Sequence, residues 1–180
     1  MKPEDRSCYF DVFETELGWF ATLGSGKVVR RIVFAHRNAG EAAAAVLSGP
    51  FQSAPQARWY PELSERLWAY AGGESDEFAD IELDLAHLSP FSRQVTLRCR
   101  QIQYGQKSSY GQLAALAGSP GAARAVGNVM AANRFPLIVP CHRVVNADGT
   151  LGAYSAPQGV VMKARLLELE GALERRLVAL

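Results

Sequence analysis

The stretch SYGQLAALAGSPGAARAVGNVMAANR, residues 109–134, is built from two short helical runs and the turn between them. Ser109 followed by Gln112 fits a capping box, so a helix is predicted over GQLAALAG and stopped at Gly118. Ser119 and Pro120 predict the cap of the next helix, GAARAVGNVMAANR. Two short helices joined by a tight glycine-containing turn predict a helix-turn-helix. On its second helix Val126, Val129 and Met130 share one face, and Arg124, Gly127, Asn128 and Ala131 share the other. The first face is core. The second sets one long cation among small residues, which lets the helix backbone come close to a nucleic-acid groove while Arg124 reaches the base stack.

Working outward, the charge of the chain divides near HLSPFSRQV. Residues 1–88 carry 8 basic and 14 acidic side chains, a net −6, and residues 89–180 carry 11 and 4, a net +7. This predicts an acidic supporting domain over 1–88 and a basic domain over 89–180 that faces a polyanion, for which the helix-turn-helix favours DNA. Ser89 before Pro90 starts the basic half as an N-cap, with Phe91, Val95, Cys99 and Ile102 on one buried helical face. In the acidic half, CYFDVFET and GWFATLGSGKVVRRIVF alternate like strands with a hairpin tip at 24–26. GEAAAAVLSG and PELSERLWAYAGG read as helices and ADIELDLA as another strand, so this half is α/β. It shows no chemical motif. Cys8, His36, His87 and Cys99 lack the paired spacing of a zinc site, so no metal is expected. Three cysteines are too few for a disulfide framework, no N-terminal apolar run suggests secretion, and no run reaches the roughly 18 apolar residues of a membrane helix. A soluble protein of a reducing cytosol is expected.

Downstream lies IVPCHRVV, residues 138–145, which places a thiol, an imidazole and a guanidinium in an apolar run that reads as a buried strand. On a strand, neighbouring side chains point to opposite faces, so His142 would reach Cys141 only through a water or after a local turn. A free thiol with a pKa of about 8.5 is mostly protonated at neutral pH, so a nucleophilic Cys141 needs a base or cation nearby. His142 supplies the base, and Arg143 adds charge or anchors the turn.

PCHRV at 140–144, SYGQLAAL at 109–116 and ARAVGNVMAAN at 123–133, in this arrangement, resemble the O6-alkylguanine-DNA alkyltransferase family. The resemblance is close over about residues 88–171 and general before that. It implies an α/β N-terminal domain with a small antiparallel sheet, ribonuclease H-like, and a mainly α C-terminal winged helix-turn-helix domain. It also implies irreversible, single-turnover transfer of an alkyl group from O6-alkylguanine, and from O4-alkylthymine, to Cys141 after base flipping. His142 takes the thiol proton through a water, Glu170 orients the histidine, Tyr110 serves guanine N3, and Asn133 is the hinge. Arg124, Ala123, Gly127, Asn128 and Ala131 face the minor groove of double-stranded DNA. Tyr154, Ser155, Val144, Met130 and Pro140 form the substrate pocket. No cofactor, a monomeric state and a cytoplasmic location, nuclear in a eukaryote, are implied as well. The chain departs from the family at Arg134, where proline is usual, at Gln103, another common proline, and at 154–159, YSAPQG, where the family is glycine-rich; Pro157 puts the alkyl-size preference in question. Two rival classes are a non-catalytic sensor of alkylated DNA, which Cys141 opposes, and a Cys-His acyltransferase or hydrolase, which leaves the basic half unexplained.

Overall fold

In the computed structural model, which describes residues 8–173, strands β1 (Tyr9–Thr15), β2 (Gly18–Ser25) and β3 (Val28–His36) form an antiparallel meander. Gly26, at φ 58°, turns the chain between β2 and β3 in the left-handed region that glycine enters freely. Alternate residues of β2 face opposite ways. Ala21 and Leu23 pack under α1 (Ala39–Val46), and Phe20 joins the larger core against α2 (Pro61–Ala71). That helix buries Leu63, Leu67, Tyr70 and Ala71, the i, i+4, i+7, i+8 stripe of an amphipathic helix.

Two expectations for this half need correction. The sheet is mixed: β4 (Glu82–Leu83) pairs parallel with β3, so the order β1-β2-β3-β4 ends in a parallel strand. ADIELDLA also contributes only Glu82–Leu83 to the sheet, although Ile81 and Leu85 are buried as the alternation predicts. Arg100 explains the shortness. Its guanidinium donates to the carbonyls of Phe78 and Ile81, each at 2.6 Å, so this stretch satisfies its backbone through a side chain from the other half.

The second half begins as the sequence suggests. The Ser89 hydroxyl accepts from the Ser92 amide at the head of α3 (Pro90–Cys99), which buries Val95 and Cys99. Strand β5 (Ser108–Ser109) leads into α4 (Tyr110–Leu116), where both halves of the Ser109–Gln112 capping box form, and Gly118 follows at φ 76°. The next helix, α5, spans Ala123–Ala131, and its N-cap is Ala122 with no side-chain bond. The predicted Ser119–Pro120 cap is therefore wrong. Gly121, at φ 90°, cannot continue a helix, and residues 119–122 close a turn from the Ala122 amide to the Ser119 carbonyl at 3.1 Å. A short 3-10 turn (Cys141–Arg143), β6 (Val144–Val145) and α6 (Val160–Leu169) follow among the described residues.

One core cluster runs from Phe20 and Phe34 through Tyr70 and Phe78 to Cys99, Val126, Val144 and Leu166, so the two halves share their interior. The Ile32 amide on β3 also donates to the Arg134 carbonyl at 2.8 Å. Among the described residues no helix is long and apolar enough to cross a membrane. Residues 1–7 and 174–180, the outer ends of the two expected domains, lie outside the described residues.

Candidate active site

The apolar run around Cys141 does not form the buried strand that its residue types predict. Pro140 sits at φ −79°, ψ 67°, the Cys141 amide donates to Val139 O at 2.8 Å, and the Arg143 amide donates to Pro140 O at 2.9 Å. Residues 141–143 thus coil into a 3-10 turn, and only Val144 and Val145 extend, pairing in parallel with Ser108 and Ser109. A buried run of branched apolar residues reads the same from sequence whether it is extended or turned. The consequence is geometric. The turn directs Cys141 to a cavity and His142 into the interior, while the β5–β6 pair ties the start of α4, and so Tyr110, to the end of that turn.

Asn133 holds the thiol from the other side. Its side-chain amide donates to Val139 O at 2.8 Å and to Cys141 Sγ at 3.2 Å, while its Oδ1 accepts from the Phe135 amide at 3.0 Å. Burial pushes the Cys141 thiol up, and against it work the Asn133 bond, the nearby Tyr154 hydroxyl and the charge of Lys163. The Tyr154 hydroxyl is itself buried and makes no hydrogen bond of ordinary geometry with the described residues, so its influence on the sulfur is that of a close dipole. Lys163 is fully buried on α6, donates to Val144 O at 2.6 Å, and lies 5.7 Å from the centre of the Tyr110 ring. Burial draws its pKa down to about 8. Removed from solvent, its ammonium charge acts on the thiol and on Tyr110 with little screening. Burial likewise raises the Tyr110 hydroxyl.

Behind the thiol is a buried polar cluster. The side chains of His142 and Glu170 are completely buried and meet through Nε2 and Oε1 at 2.9 Å. Arg143 donates from Nε to Glu170 Oε2 at 2.9 Å and from its terminal nitrogen to Oε1 at 2.9 Å, and it also meets Glu77 at 3.2 Å. The Tyr70 hydroxyl donates to Glu170 Oε1. An isolated carboxylate here would cost several kcal/mol, so it must be neutralised or paired. Burial alone would raise Glu170, but the bonds and charges of His142 and Arg143 overcome it and hold the carboxyl at about 2. Burial lowers His142, and Glu170 opposes that shift. With Glu170 ionised, the His142 Nε2 must carry the proton between them, which leaves Nδ1 as the lone-pair nitrogen; it has no partner among the described residues.

A cavity of about 730 Å³ opens in front of Cys141. One wall is the outer face of α5, with Ala123, Arg124, Gly127, Asn128 and Ala131; the others carry Tyr110, Met130, Tyr154 and Ser155. A second cavity of about 450 Å³ reaches the same thiol from the N-terminal half, between Ile32 and Phe34 of β3 and the loop Ser155–Ala156–Pro157.

Residues 90–172 match the DNA-binding domain family of 6-O-methylguanine DNA methyltransferases. A methylated-DNA–protein-cysteine methyltransferase of Mycolicibacterium paratuberculosis is 48% identical over 106 residues, 59% of this chain and 62% of that protein. Its counterpart in Mycobacterium leprae is 45% identical over 116 residues, 64% of this chain and 68% of that protein. The crystal structure of Mycobacterium tuberculosis OGT in complex with DNA superposes with a TM-score of 0.77 at 33% identity, covering 91% of this chain and 93% of that one. The chain belongs to the methylated-DNA–protein-cysteine methyltransferase family. Its sequence alignment spans less than two thirds of the Mycolicibacterium paratuberculosis relative, whereas the structural match runs over nearly the whole chain.

Within this family member, the cavity and the cluster behind it bring together most of the residues singled out in the sequence. Cys141, Tyr110, Met130, Tyr154, Ser155 and the α5 residues line the main cavity, Asn133 lines the second, and His142 and Glu170 stand behind the thiol. Val144 and Pro140 are buried and line neither cavity: Val144 contributes its carbonyl to Lys163, and Pro140 starts the turn. Val129 is only half-buried, so the α5 core face rests chiefly on Val126 and Met130. Two residues escaped the sequence reading. Lys163 precedes Glu170 by seven positions and shares its buried face with Leu166 and Leu167, a spacing that would have found it. Tyr70 left no such signal, because a tyrosine on the buried stripe of a helix reads as core.

Proposed function

We propose that this protein repairs DNA by moving the alkyl group of O6-alkylguanine, and of O4-alkylthymine, onto Sγ of Cys141 once per molecule. The observation that carries the reading is the place of that sulfur. It lies on a cavity bounded by the exposed small-residue face of α5, and a fully buried His142–Glu170 pair stands behind it. In this reading α4 and α5, with β5–β6 and the turn at 146–150, act as a winged helix-turn-helix, and the N-terminal sheet is ribonuclease H-like. Ala123, Gly127, Asn128 and Ala131 bring α5 into the minor groove of double-stranded DNA, and Arg124 fills the space of the extruded nucleotide. The damaged guanine enters between Tyr110 and Tyr154, with Ser155 donating to O6 and its alkyl group directed at Cys141. The S–C bond forms as the C–O6 bond breaks. The thiol proton passes through a water to His142, whose imidazolium Glu170 holds, and Tyr110 gives a hydrogen bond or proton to guanine N3 so that the base leaves without full charge. Lys163 steadies the developing thiolate, and no cofactor takes part. We place the domain boundary between residues 88 and 89, the molecule acting as a monomer, with thiols suited to the cytoplasm.

A thioether has no good leaving group. Guanine repaired in excess O6-methylguanine duplex should therefore plateau at one mole per mole of protein, measured by chromatography of the digested DNA. Sustained turnover would fit a Cys-His hydrolase instead.

The pH dependence follows from the buried pair. Glu170 raises His142 against its burial, so Glu170→Gln should leave the imidazole a weaker base. Between the His142 and Cys141 titrations, transfer should slow by about tenfold or more. At alkaline pH, where thiolate forms without the base, the variant should approach the wild-type rate, so the loss is largest between the two titrations, while the acid limb moves to lower pH with the His142 titration. A rate profile identical to wild type would remove Glu170 from the mechanism.

A further inference from the structure

Tyr70 lies on α2, in the half of the chain whose sequence shows no chemistry, yet it reaches the catalytic cluster of the other half. Its side chain is 1% exposed, and its hydroxyl donates to Glu170 Oε1 and stands 3.4 Å from His142 Nε2. The hydroxyl has one proton, and the ionised carboxylate brings none. That proton therefore points to Oε1, and the tyrosine oxygen turns its lone pairs toward the His142 N–H. Nε2 thus faces two acceptors, and Oε1 is shared among Tyr70, His142 and Arg143.

We propose that Tyr70 is a positioning residue for alkyl transfer: by sharing Glu170 Oε1 with His142, its hydroxyl limits the carboxylate's hold on the imidazole and keeps His142 a neutral base with its proton on Nε2. The proposal rests on the alkyl-transfer reading above, and it makes the N-terminal half part of the chemistry. A histidine facing a carboxylate in a dry interior is drawn toward the imidazolium, because their attraction is poorly screened there. An imidazolium has no lone pair with which to take a thiol proton. Each donor on Oε1 weakens that attraction.

The groups around His142 divide clearly. Glu170, at the end of α6, favours the imidazolium; Arg143 on the same turn and Lys163 on α6 oppose it. Glu77 meets Arg143 at 3.2 Å, and the Tyr104 ring stands edge-on to Tyr70 at 6.0 Å with Arg143 over it at 5.7 Å. Cys141 is the adjacent residue on the turn. Tyr70 adds a neutral donor aimed at the one oxygen that His142 uses.

The test is Tyr70→Phe in the full-length protein, which keeps the ring and removes the hydroxyl. The His142 titration, followed by nitrogen-15 NMR of the imidazole, should move up by about one pH unit, and the acid limb of the transfer rate from O6-methylguanine duplex should move with it. On the wild-type limb this is about a tenfold loss of rate, with recovery above the new limb, and duplex affinity unchanged. Tyr104→Phe is the control, since that hydroxyl donates to Leu169 O at 3.2 Å, and it should move neither. An unmoved His142 titration in Tyr70→Phe, whether the rate is unchanged or lowered equally at every pH, would overturn the proposal. So would a shift of the same size in Tyr104→Phe. Should Tyr70→Phe fail to fold, wild-type NMR decides: a neutral His142 protonated on Nε2 at neutral pH supports the role, and an imidazolium or the other tautomer sinks it. Absence of transfer by the wild type would overturn the alkyl-transfer reading alone, because the NMR titration needs no substrate.

Discussion

Cys141→Ser should show no measurable alkyl transfer while still binding duplex DNA that carries O6-methylguanine. A serine hydroxyl does not ionise in this environment, where burial already holds even the more acidic thiol above its ordinary value. In the proposed mode binding belongs to a different element, α5, whose outer face is separate from the 3-10 turn that carries Cys141. The substitution is close in size, and the Asn133 amide can donate to an oxygen as it does to sulfur, so the fold should survive. Single-turnover kinetics and a gel-shift titration on the same preparation check both halves of this expectation. A serine variant that dealkylates DNA would take the nucleophile's role from Cys141.

The second large effect is expected at Gly127. Its φ is not in the left-handed region, and a Cβ built there would meet nothing nearer than the Tyr110 ring at 4.0 Å. A methyl group therefore fits within the protein itself, and the proposed docking explains the glycine by what lies outside: a leucine would hold α5 off the groove. Gly127→Leu should lose duplex repair almost entirely while remaining folded. Arg124→Ala, on the same exposed face, should be milder. Unstacking a base costs a few kcal/mol, and losing about 1.4 kcal/mol of compensation slows repair roughly tenfold. The free base O6-benzylguanine needs no flipping, so its reaction with Cys141 should be almost unchanged by Arg124→Ala. If that variant slowed both reactions equally, the arginine would be supporting the fold or the active site, and the minor-groove docking would lose its main residue.

How much of this was legible in the sequence differs from residue to residue. Helix α4 was visible because its signals are local: a capping box needs only Ser109 and Gln112, and the stop at Gly118 needs only a residue at ease with φ 76°. The start of α5 was misplaced because Ser-Pro favours a helix start only where the next residues stay helical, and Gly121 leaves that region. The residues at 141–143 stood out as a polar trio inside an apolar run, yet their turn did not. That turn depends on backbone bonds to Val139 and Pro140 that residue types do not encode. The parallel strand β4 was hidden for a related reason, since its pairing with β3 and the Arg100 guanidinium that replaces further pairing both come from distant sequence. Tyr70 was the least legible of all. Its proposed role depends on one hydroxyl meeting Glu170 across 100 residues of chain.

The central claim, a single irreversible transfer to Cys141, is tested most directly by the intact mass of the protein after incubation with excess duplex containing O6-methylguanine, followed by mass mapping of its peptides. The expected result is one added methyl group per molecule, on the peptide that holds Cys141, with no further gain at longer times. Unmodified protein beside dealkylated DNA, or a methyl group on any residue other than Cys141, would contradict it.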